Sequence, residues 1–342
     1  MGVRTDIVIL NYNTKGLLEA LLPLVKANTN LDGVQIVVAD NASSDGSAEY
    51  VKQYHPDIEL VEMKENRGYA GGYNACLKGR TADYFVLLNS DAEPAPGWLP
   101  PLIDQAENHP ECAAVQPALL DFYNREKYEY AGAAGGFLDH YGYPFCRGRI
   151  FGNLENVEGQ YSEPEEIFWA SGAALFMRRT AWEQAGGLDE TFFAHMEEID
   201  LCWRLKNKGW EIWACPDSTV YHMGGATLSN QSPRKTYLNF RNGLLMLYKN
   251  LHEKELNRVI FRRKLLDGLA AVFFMLQGKF NHIPQIWKAH RHFDKMKRNF
   301  SRPASNKPMS ELTGVLKGSL VFRYFLKGQK TTTQLKHMIT KG

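Results

Sequence analysis

The first 120 residues alternate between short apolar runs and helix-like segments. The apolar runs are rich in Ile, Val and Leu and are too continuous for half-exposed strands, which is typical of strands buried in a parallel sheet. Thr14 is a suitable N-cap for the first helix. This alternation predicts right-handed crossovers and an open α/β sheet. The predicted strands are 6–11, 34–39, 58–63, 84–89 and 113–116, and the predicted helices are 15–27, 47–54, 70–78 and 98–108.

Beyond residue 120 the pattern weakens and then returns. Residues 123–161 are rich in Gly, Tyr and Phe without a clear period, and we expect a long loop or a small insertion over the site. Residues 168–177 predict a strand, and 180–185 predict a helix that ends at two glycines. A further helix is predicted over 197–207, and 210–214 predict another strand.

Polar and Gly-rich segments follow four consecutive predicted strands. Ligands of open α/β sheets bind beyond the carboxyl ends of the strands. Asn, Asp and Gly are also ordinary turn formers, so one such segment alone would be weak evidence. Four in succession predict a single binding rim. The segments are 11–13, 40–46, 65–74 and 89–91.

The C-terminal part of the chain is helical and basic. Residues 251–342 contain 19 Lys and Arg against 5 Asp and Glu, whereas residues 1–250 contain 21 against 33. An acidic body suits a metal, and a basic tail suits anionic lipid, phosphate groups or nucleic acid; a solvated helical surface is the simpler alternative. We therefore divide the chain into a catalytic domain, 1–250, and a basic helical region, 251–342.

Residues 265–276 are apolar nearly all round, but these 12 residues are fewer than the roughly 18 that cross a bilayer. Basic residues at 262–264 and 279 flank them. This arrangement fits a helix lying in a membrane interface, and equally one packed on the body. Aromatic residues do not interleave with Lys and Arg as single-stranded nucleic acid would require, so we expect no nucleic-acid partner.

The cysteines and the N-terminus indicate the cellular compartment of the protein. Five scattered cysteines without a CxxC pair indicate reduced thiols rather than a disulfide framework. The first residues lead directly into a short strand, so we expect no secretory signal. Together these observations predict a cytoplasmic protein, with peripheral contact to the inner face of the membrane left open.

Over residues 5–245 the chain resembles family 2 glycosyltransferases of the GT-A fold, in particular their bacterial rhamnosyltransferase-like branch. The resemblance implies a nucleotide-diphospho-sugar transferase fold, with a mixed, mainly parallel sheet flanked by helices and here a helical C-terminal appendage. The motifs follow the family's order and are specific when taken together. They lie at 9–13, 40–47, 66–74, 87–91, 171–174, 186–193, 197–204 and 222–225.

The resemblance implies a nucleoside diphosphate sugar as the donor. Asp40 occupies the position at which the family binds the base, where its carboxylate would accept the N–H of uracil or thymine. An Asx-turn would also explain an Asp at this position. Asn11 and Tyr12 would flank the nucleoside, and Asn66 and Gly68 would allow the chain to approach it closely. The residues implied in donor binding are Asn11, Tyr12, Asp40, Asn66, Gly68, Asn74, Asn89, Ser90 and Asp91.

Residues 89–91 occupy the position of the family's metal motif, commonly Asp-x-Asp. Asn89 replaces the first carboxylate, but Asp91 with diphosphate oxygens is a reasonable site for Mg²⁺ or Mn²⁺. His222 matches a histidine that supplies another ligand in some relatives and would favour Mn²⁺; a packing role is equally open. The cation would neutralise charge on the departing nucleoside diphosphate.

Glu197 and Glu198 begin a predicted helix, whose dipole favours carboxylates and would keep them ionised. A general base must be ionised. The resemblance places the base at the second acidic position, Glu198, where Asp is usual in the family. Ordinary helix-start charge is the alternative. Asp200 and Arg204 are four residues apart on one helix face and predict a structural pair.

The acceptor implied by the resemblance is a hydroxyl of a cell-surface glycan or a lipid-linked glycan. Arg241 and Asn242 would lie near the donor diphosphate or such an acceptor. We therefore expect an inverting enzyme that moves rhamnose or another hexose from a dTDP- or UDP-sugar in one displacement.

Two alternatives stay open. A sugar nucleotidyltransferase would need a Gly-rich, basic phosphate loop after the first strand, which residues 11–14 do not supply. A non-catalytic GT-A protein that binds nucleotide sugars or carbohydrate is consistent with Asn89.

Overall fold

In the computed structural model, the continuous apolar runs near the N-terminus form buried strands, and the segments between them form helices. The structure describes residues 2–224, 232–303 and 306–341. Along the strand Tyr84–Asn89, Phe85 and Leu87 belong to one apolar cluster and Val86 and Leu88 to another, so both faces of the sheet are covered. The first elements are β1 (Thr5–Asn11), α1 (Lys15–Asn28), β2 (Val34–Asp40), α2 (Ser47–Tyr54), β3 (Glu59–Glu62), α3 (Gly68–Leu77), β4 (Tyr84–Asn89), β5 (Ala92–Pro94), α4 (Leu99–Asn108) and β6 (Cys112–Asp121).

The remaining chain contains more strands than its pattern predicts, together with the predicted helices. The elements are β7 (Gly136–Asp139), β8 (Pro144–Cys146), β9 (Arg149–Ile150), β10 (Asn153–Leu154), β11 (Glu165–Glu166), β12 (Ala174–Arg178), α5 (Arg179–Ala185), α6 (Glu197–Asn207), β13 (Glu211–His222), α7 (Pro233–Asn250), α8 (Glu253–Leu276), α9 (Ile283–Met296), β14 (Val315–Leu316), α10 (Leu320–Lys327) and α11 (Thr332–Leu335).

Three predicted strands have the wrong bounds. β12 covers only the end of the predicted strand 168–177, and β6 and β13 are much longer than predicted. The predicted strand ends at Ala214, but β13 continues through Pro216 and Asp217 with a register shift between Cys215 and Thr219 while it pairs with β6. The strand therefore continues to His222, which lies at its last position.

The central sheet has the strand order β11-β13-β6-β12-β4-β1-β2-β3, and β5 pairs with β13. Most paired residues lie in parallel pairs, whereas β12 is antiparallel to both β4 and β6. This confirms the predicted α/β class with a mixed, mainly parallel sheet. Asn11 pairs with Asp40, and Leu10 pairs with Asn89, so the carboxyl ends of β1, β2 and β4 meet at one edge.

Residues 136–154, which show no period in the sequence, form a second and smaller sheet in the order β10-β9-β8-β7-β14. Its strands are two to four residues long, too short to show an alternation. β14 comes from the C-terminal region, where Val315 pairs with Leu138. The C-terminal region is therefore not purely helical, and the boundary at residue 250 stays a prediction.

Asp200 joins α6 to α7. Its carboxylate is fully buried and accepts hydrogen bonds from Arg204 at 2.8 Å, from Lys249 at 2.9 Å and from Asn250 at 2.8 Å. The predicted pair of Asp200 and Arg204 is thus confirmed. Because a buried charge is costly unless it is paired, these contacts fix the position of α6 against α7.

Replacing Asp200 with Asn should lower the free energy of unfolding by about 3 kcal/mol, because Arg204 would lose its buried counter-charge and Lys249 would keep only Asp189. Urea denaturation measures this quantity. The matched control is Asp104→Asn on the exposed side of α4, expected to change stability by no more than about 0.5 kcal/mol. Equal effects of the two substitutions would contradict the role assigned to Asp200.

Candidate active site

The polar strand ends open onto one cleft of about 350 Å³. Strand ends of the central sheet line one side, and the segment 193–198 with the start of α7 lines the other. The structure therefore brings together residues that are far apart in the chain. The predicted site residues that line the cleft are Tyr12, Asn66, Gly68, Asn89, Ser90, Asp91, Glu197, Glu198 and His222; Gly225, the end of the His222 motif, lies outside the described residues.

Asp40 and Asn11 lie at the same edge of the sheet but do not line the cleft. The side-chain amide of Asn11 donates to Oδ1 of Asp40 at 2.9 Å, and the backbone N–H of Ser43 donates to Oδ2 at 2.9 Å. The Asp40 carboxylate thus holds the turn after β2, and it is only 4% exposed. Its role in reading the base stays a prediction.

Gly68 is required for contact between two parts of the chain, and its close approach to the nucleoside stays a prediction. It has a φ of +68°, and a Cβ there would come within 2.7 Å of the Phe193 ring and 2.8 Å of the Phe193 carbonyl oxygen. The backbone N–H of Tyr69 donates to that same oxygen at 2.9 Å. The start of α3 therefore packs directly on the segment that precedes α6.

Asn74 is also turned towards the protein. Its side-chain amide donates to the carbonyl oxygen of Leu188 at 2.8 Å, and the Leu188 N–H donates to its Oδ1 at 3.0 Å. It does not line the cleft and forms a tether between α3 and the turn after α5, and its role in donor binding stays a prediction.

The segment before α6 has a strained backbone. Phe193, His195 and Met196 have φ values of 65°, 70° and 74°. Each such conformation costs a non-glycine residue of order 1–3 kcal/mol and persists only where surrounding contacts impose it. The strain reverses the chain so that Glu197 and Glu198 face the cleft at the first turn of α6.

Arg241 and Asn242 supply the contacts that impose this conformation. The Asn242 side-chain amide donates to the carbonyl oxygens of residues 192, 194 and 195 at 3.0, 2.9 and 2.7 Å, and Arg241 donates to that of residue 192 at 2.9 Å. Neither side chain lines the cleft. Their polar atoms bind the backbone of the strained segment, and the predicted contact with diphosphate or acceptor stays a prediction.

Glu197 and Glu198 are held in a poorly solvated environment. Burial, together with the neighbouring Glu198, raises the pKa of Glu197 well above its usual range, and burial raises the pKa of Glu198 to about 7. The expectation that the helix dipole keeps both ionised is thus wrong for Glu197, because desolvation outweighs the dipole, whereas Glu198 is partly ionised near neutral pH. Oε2 of each is buried and accepts no hydrogen bond from any described residue.

A second cluster lies across the cleft, where His222 stands between two carboxylates. Its Nε2 is 3.0 Å from Oδ1 of Asp91, and its Nδ1 is 3.3 Å from Oε1 of Glu129. Burial opposes a charge on the ring, but hydrogen bonds to the two carboxylates outweigh it and raise the pKa of His222 to about 10. Nε2 also lies 3.3 Å from Nδ2 of Asn89.

This cluster fits a divalent cation that would be completed by a ligand. Nδ1 of His222 faces a carboxylate, which is how proteins orient metal-binding histidines, and Nε2 faces the oxygen of Asp91. Within the described residues, no group of three or more His, Cys, Asp or Glu side chains is arranged to hold a metal. Oxygen atoms of a bound diphosphate would therefore have to supply the remaining ligands.

Several residues of the cleft are absent from the predicted set. Glu129 lies in the segment without a period, so no sequence signal marks it. The ring of His195 is buried, which lowers its pKa to about 4 and keeps it neutral. Arg234 and Lys235 bring positive charge to the start of α7, and their adjacent basic character is the signal that could have placed them here.

A model of glycosyl transferase family 2 matches residues 6–185, more than half of the chain, and the chain therefore belongs to this family. It is accordingly an enzyme of the glycosyltransferase class. The match covers the strand ends and Asp91 and ends before Glu197 and Glu198.

Individual relatives agree with this assignment. The chain is similar to the N-acetylglucosaminyl-diphospho-decaprenol L-rhamnosyltransferase of Mycobacterium tuberculosis, with 28% identity over 231 residues that cover 63% of this chain and 75% of the relative. It is also similar to the low-salt glycan biosynthesis hexosyltransferase Agl10 of Haloferax volcanii, with 26% identity over 298 residues that cover 83% and 89%.

The fold is shared with a mannosyltransferase of Pyrobaculum calidifontis solved in complex with GDP-mannose and Mn²⁺. The TM-score is 0.54 at 18% identity, and the likeness covers 88% of this chain and 77% of that one. The architecture is thus that of the GT-A glycosyltransferases, as predicted.

Asn242→Ala should release the strained segment and lower the transfer rate at least about tenfold, because Glu198 would no longer be held at the cleft. Stability should fall by about 1–3 kcal/mol, since buried carbonyl groups would lose their donor. Steady-state kinetics at a temperature where the variant is folded measure the first effect. Asn239→Ala, on the same helix, is the control and should leave the rate unchanged. A normal rate in a destabilised Asn242→Ala protein would contradict the positioning role.

Proposed function

We propose that this enzyme transfers a hexose from a nucleoside diphosphate sugar to an acceptor hydroxyl and inverts the anomeric configuration. The observation that carries the proposal is the pairing of two clusters in one cleft. One cluster holds a carboxylate with a buried oxygen that no described residue contacts by a hydrogen bond, and the other can bind a cation and diphosphate.

Glu198 is the general base in this proposal. Its half-buried carboxylate faces the cleft and has an oxygen free to accept a proton. As the acceptor oxygen forms its bond to the anomeric carbon, the bond from that carbon to the diphosphate breaks and the acceptor proton passes to Glu198. A pKa of about 7 matches a base that works near neutral pH. A single displacement of this kind inverts the anomeric centre.

The donor occupies the side of the cleft formed by the strand ends. Tyr12 is 40% exposed there and offers its ring to the nucleoside, while Asn66 and Ser90 supply polar atoms. Arg234 and Lys235 face the same space and bring positive charge towards a diphosphate. The rhamnosyltransferase among the relatives supports rhamnose among the candidate sugars, and dTDP or UDP is proposed as the carrier.

Asp91 and His222 would hold the divalent cation, with Glu129 orienting His222. When bound, the cation supplies positive charge against the departing diphosphate. The Mn²⁺ in the mannosyltransferase of the same fold supports this assignment, and an imidazole ligand favours Mn²⁺ over Mg²⁺.

The acceptor is a glycan on a lipid carrier or at the cell surface. The mycobacterial relative is named for a sugar-diphospho-decaprenol, which supports a lipid-linked acceptor here. Such an acceptor would meet a cytoplasmic enzyme at the inner face of the membrane.

Glu198→Gln should lower the transfer rate by about 10²–10⁴, because the amide cannot take the acceptor proton. In the native enzyme, kcat/KM should rise with pH through about 7, since only the deprotonated carboxylate of Glu198 is active. Release of nucleoside diphosphate from dTDP-rhamnose and UDP-hexoses measures both the transfer rate and its dependence on pH. Glu183→Gln, on the exposed face of α5, is the matched control and should keep the native rate and profile. An unchanged pH profile in Glu198→Gln would exclude this base.

Asp91→Asn and His222→Gln should each weaken Mn²⁺ binding in the presence of nucleoside diphosphate, because each removes a ligand. Glu129→Gln should weaken it by about 10–100-fold, as expected for the residue that orients a histidine ligand. Electron paramagnetic resonance of free Mn²⁺ measures the affinity without turnover. Glu126→Gln, exposed in the same segment, should bind Mn²⁺ normally. Native affinity in Asp91→Asn would remove the cation from this site.

A further inference from the structure

Helix α8 is attached to the protein through the buried Val259 in its first half and through charged residues further along. Arg263 and Asp267 are buried, and Nε of Arg263 donates to Oδ1 of Asp267 at 2.8 Å. Asp267 also accepts from Tyr143 at 2.9 Å, and Arg263 donates to the carbonyl oxygen of Gly142 at 2.9 Å. Nε2 of His290 on α9 lies 2.9 Å from Oδ2 of Asp267. These contacts fix which side of α8 faces inward.

The outward side of α8 is apolar. Its side chains are spaced by three or four residues, so they form one stripe along the helix. The first half of α8 packs on the core through Leu256, Val259 and Ile260. From Leu265 onward the distribution is the reverse of that in an ordinary surface helix, which exposes its charges and buries its apolar side. The stripe consists of Phe261, Leu265, Leu269, Val272 and Leu276, which are 65%, 57%, 61%, 48% and 78% exposed.

Helix α10 extends this stripe. The rings of Phe273 on α8 and Phe325 on α10 lie 5.7 Å apart between centroids, so the two helices are adjacent. Phe322, Phe325 and Leu326 are 46%, 52% and 73% exposed, and their spacing places them on one side of α10. We call the exposed apolar side chains of both helices the α8–α10 surface. Contiguous exposed apolar surface of this kind marks an interaction site.

The surroundings of the α8–α10 surface are basic. Residues 312–341 contain no Asp or Glu, and Asp267, which is buried and paired, is the only acid in residues 256–293. Nζ of Lys327 lies 5.8 Å from the centre of the Phe322 ring, and Lys279 is exposed just beyond the end of α8. Apolar side chains bordered by Lys and Arg match the interior and the headgroups of an anionic bilayer.

This charge distribution favours a lipid surface over a second copy of the chain. Two copies that met through this surface would bring basic borders together, which is unfavourable. None of the helices in the described ranges is long and apolar enough to cross a bilayer. The surface is therefore suited to lying in the interface.

The α8–α10 surface is linked to the mouth of the cleft through short contacts. The Phe274 ring on α8 lies 5.1 Å from that of His282, and Nδ1 of His282 lies 2.7 Å from Oγ1 of Thr236 at the start of α7. Thr236 directly follows Arg234 and Lys235, which line the cleft.

We propose that the α8–α10 surface docks on an anionic lipid bilayer and thereby holds the mouth of the cleft at the membrane surface. The apolar side chains enter the interface, and the surrounding Lys and Arg contact the lipid phosphates. Docking itself needs only these residues. Its use, presentation of a lipid-linked acceptor to Glu198, rests on the proposed function.

Flotation of the full chain with vesicles tests the docking. The native chain should float with vesicles of phosphatidylcholine and phosphatidylglycerol and much less with phosphatidylcholine alone, and salt should weaken binding. Leu269→Glu combined with Leu276→Glu should reduce the bound fraction at least about tenfold, because charges would replace apolar contacts. Lys279→Glu combined with Lys327→Glu should cause a similar loss on anionic vesicles alone.

A matched control is Leu24→Glu combined with Leu31→Glu, two leucines that are 40% and 42% exposed outside this region. This variant should float like the native chain. Donor hydrolysis in the absence of lipid should stay native in every variant, so a loss of docking is distinguishable from a failure of the proposed activity. Equal flotation of the native chain and the Leu269/Leu276 variant would overturn the proposal. So would a native dimer that does not float and that the same variant converts to monomers.

Discussion

The strained segment between α5 and α6 is the constraint on which the cleft depends. Three left-handed residues there cost several kcal/mol of backbone energy as an order of magnitude, and hydrogen bonds from Asn242 and Arg241 offset this cost. Gly68 leaves the space into which Phe193 packs. Without these contacts the first turn of α6 would not face the strand ends, and the two acidic clusters would not share a cleft.

Charge balance in the cleft follows from how each group is buried. A cleft lined by Asp91, Glu129, Glu197 and Glu198 would repel an anionic diphosphate if all four were ionised. Burial beside Glu198 favours the neutral form of Glu197, and the proton on His222 compensates its two neighbouring carboxylates while no cation is bound. A cation held by His222 would displace that proton and supply the positive charge in its place. The positive side chains at the start of α7 add to this compensation. The cleft can therefore contain several acids and still accept an anion.

The sequence predicts the first four strands and the cleft edge well because both follow from general rules. Buried parallel strands are continuous apolar runs, and their carboxyl ends bind ligands. The sequence does not show that Asn74, Arg241 and Asn242 bind backbone carbonyl groups, because an amide or guanidinium suits a carbonyl oxygen as well as a ligand and spacing cannot distinguish the two. Glu129 and the small sheet escaped prediction because strands of two to four residues show no period. The raised pKa of Glu198 could not be predicted from the sequence, because burial is a property of the fold.

Helix α8 shows why two interpretations of one sequence pattern can stay balanced. An apolar segment interrupted by Asp267 and bordered by Arg263 fits both packing on the body and contact with a membrane interface. The structure shows that the interruption is the attachment, since the buried charges bind Tyr143, Gly142 and His290. The apolar side therefore faces outward, and its exposure to water is unfavourable. Contact with a bilayer would remove this hydrocarbon from water. The two interpretations therefore describe opposite sides of the same helix and no longer exclude each other.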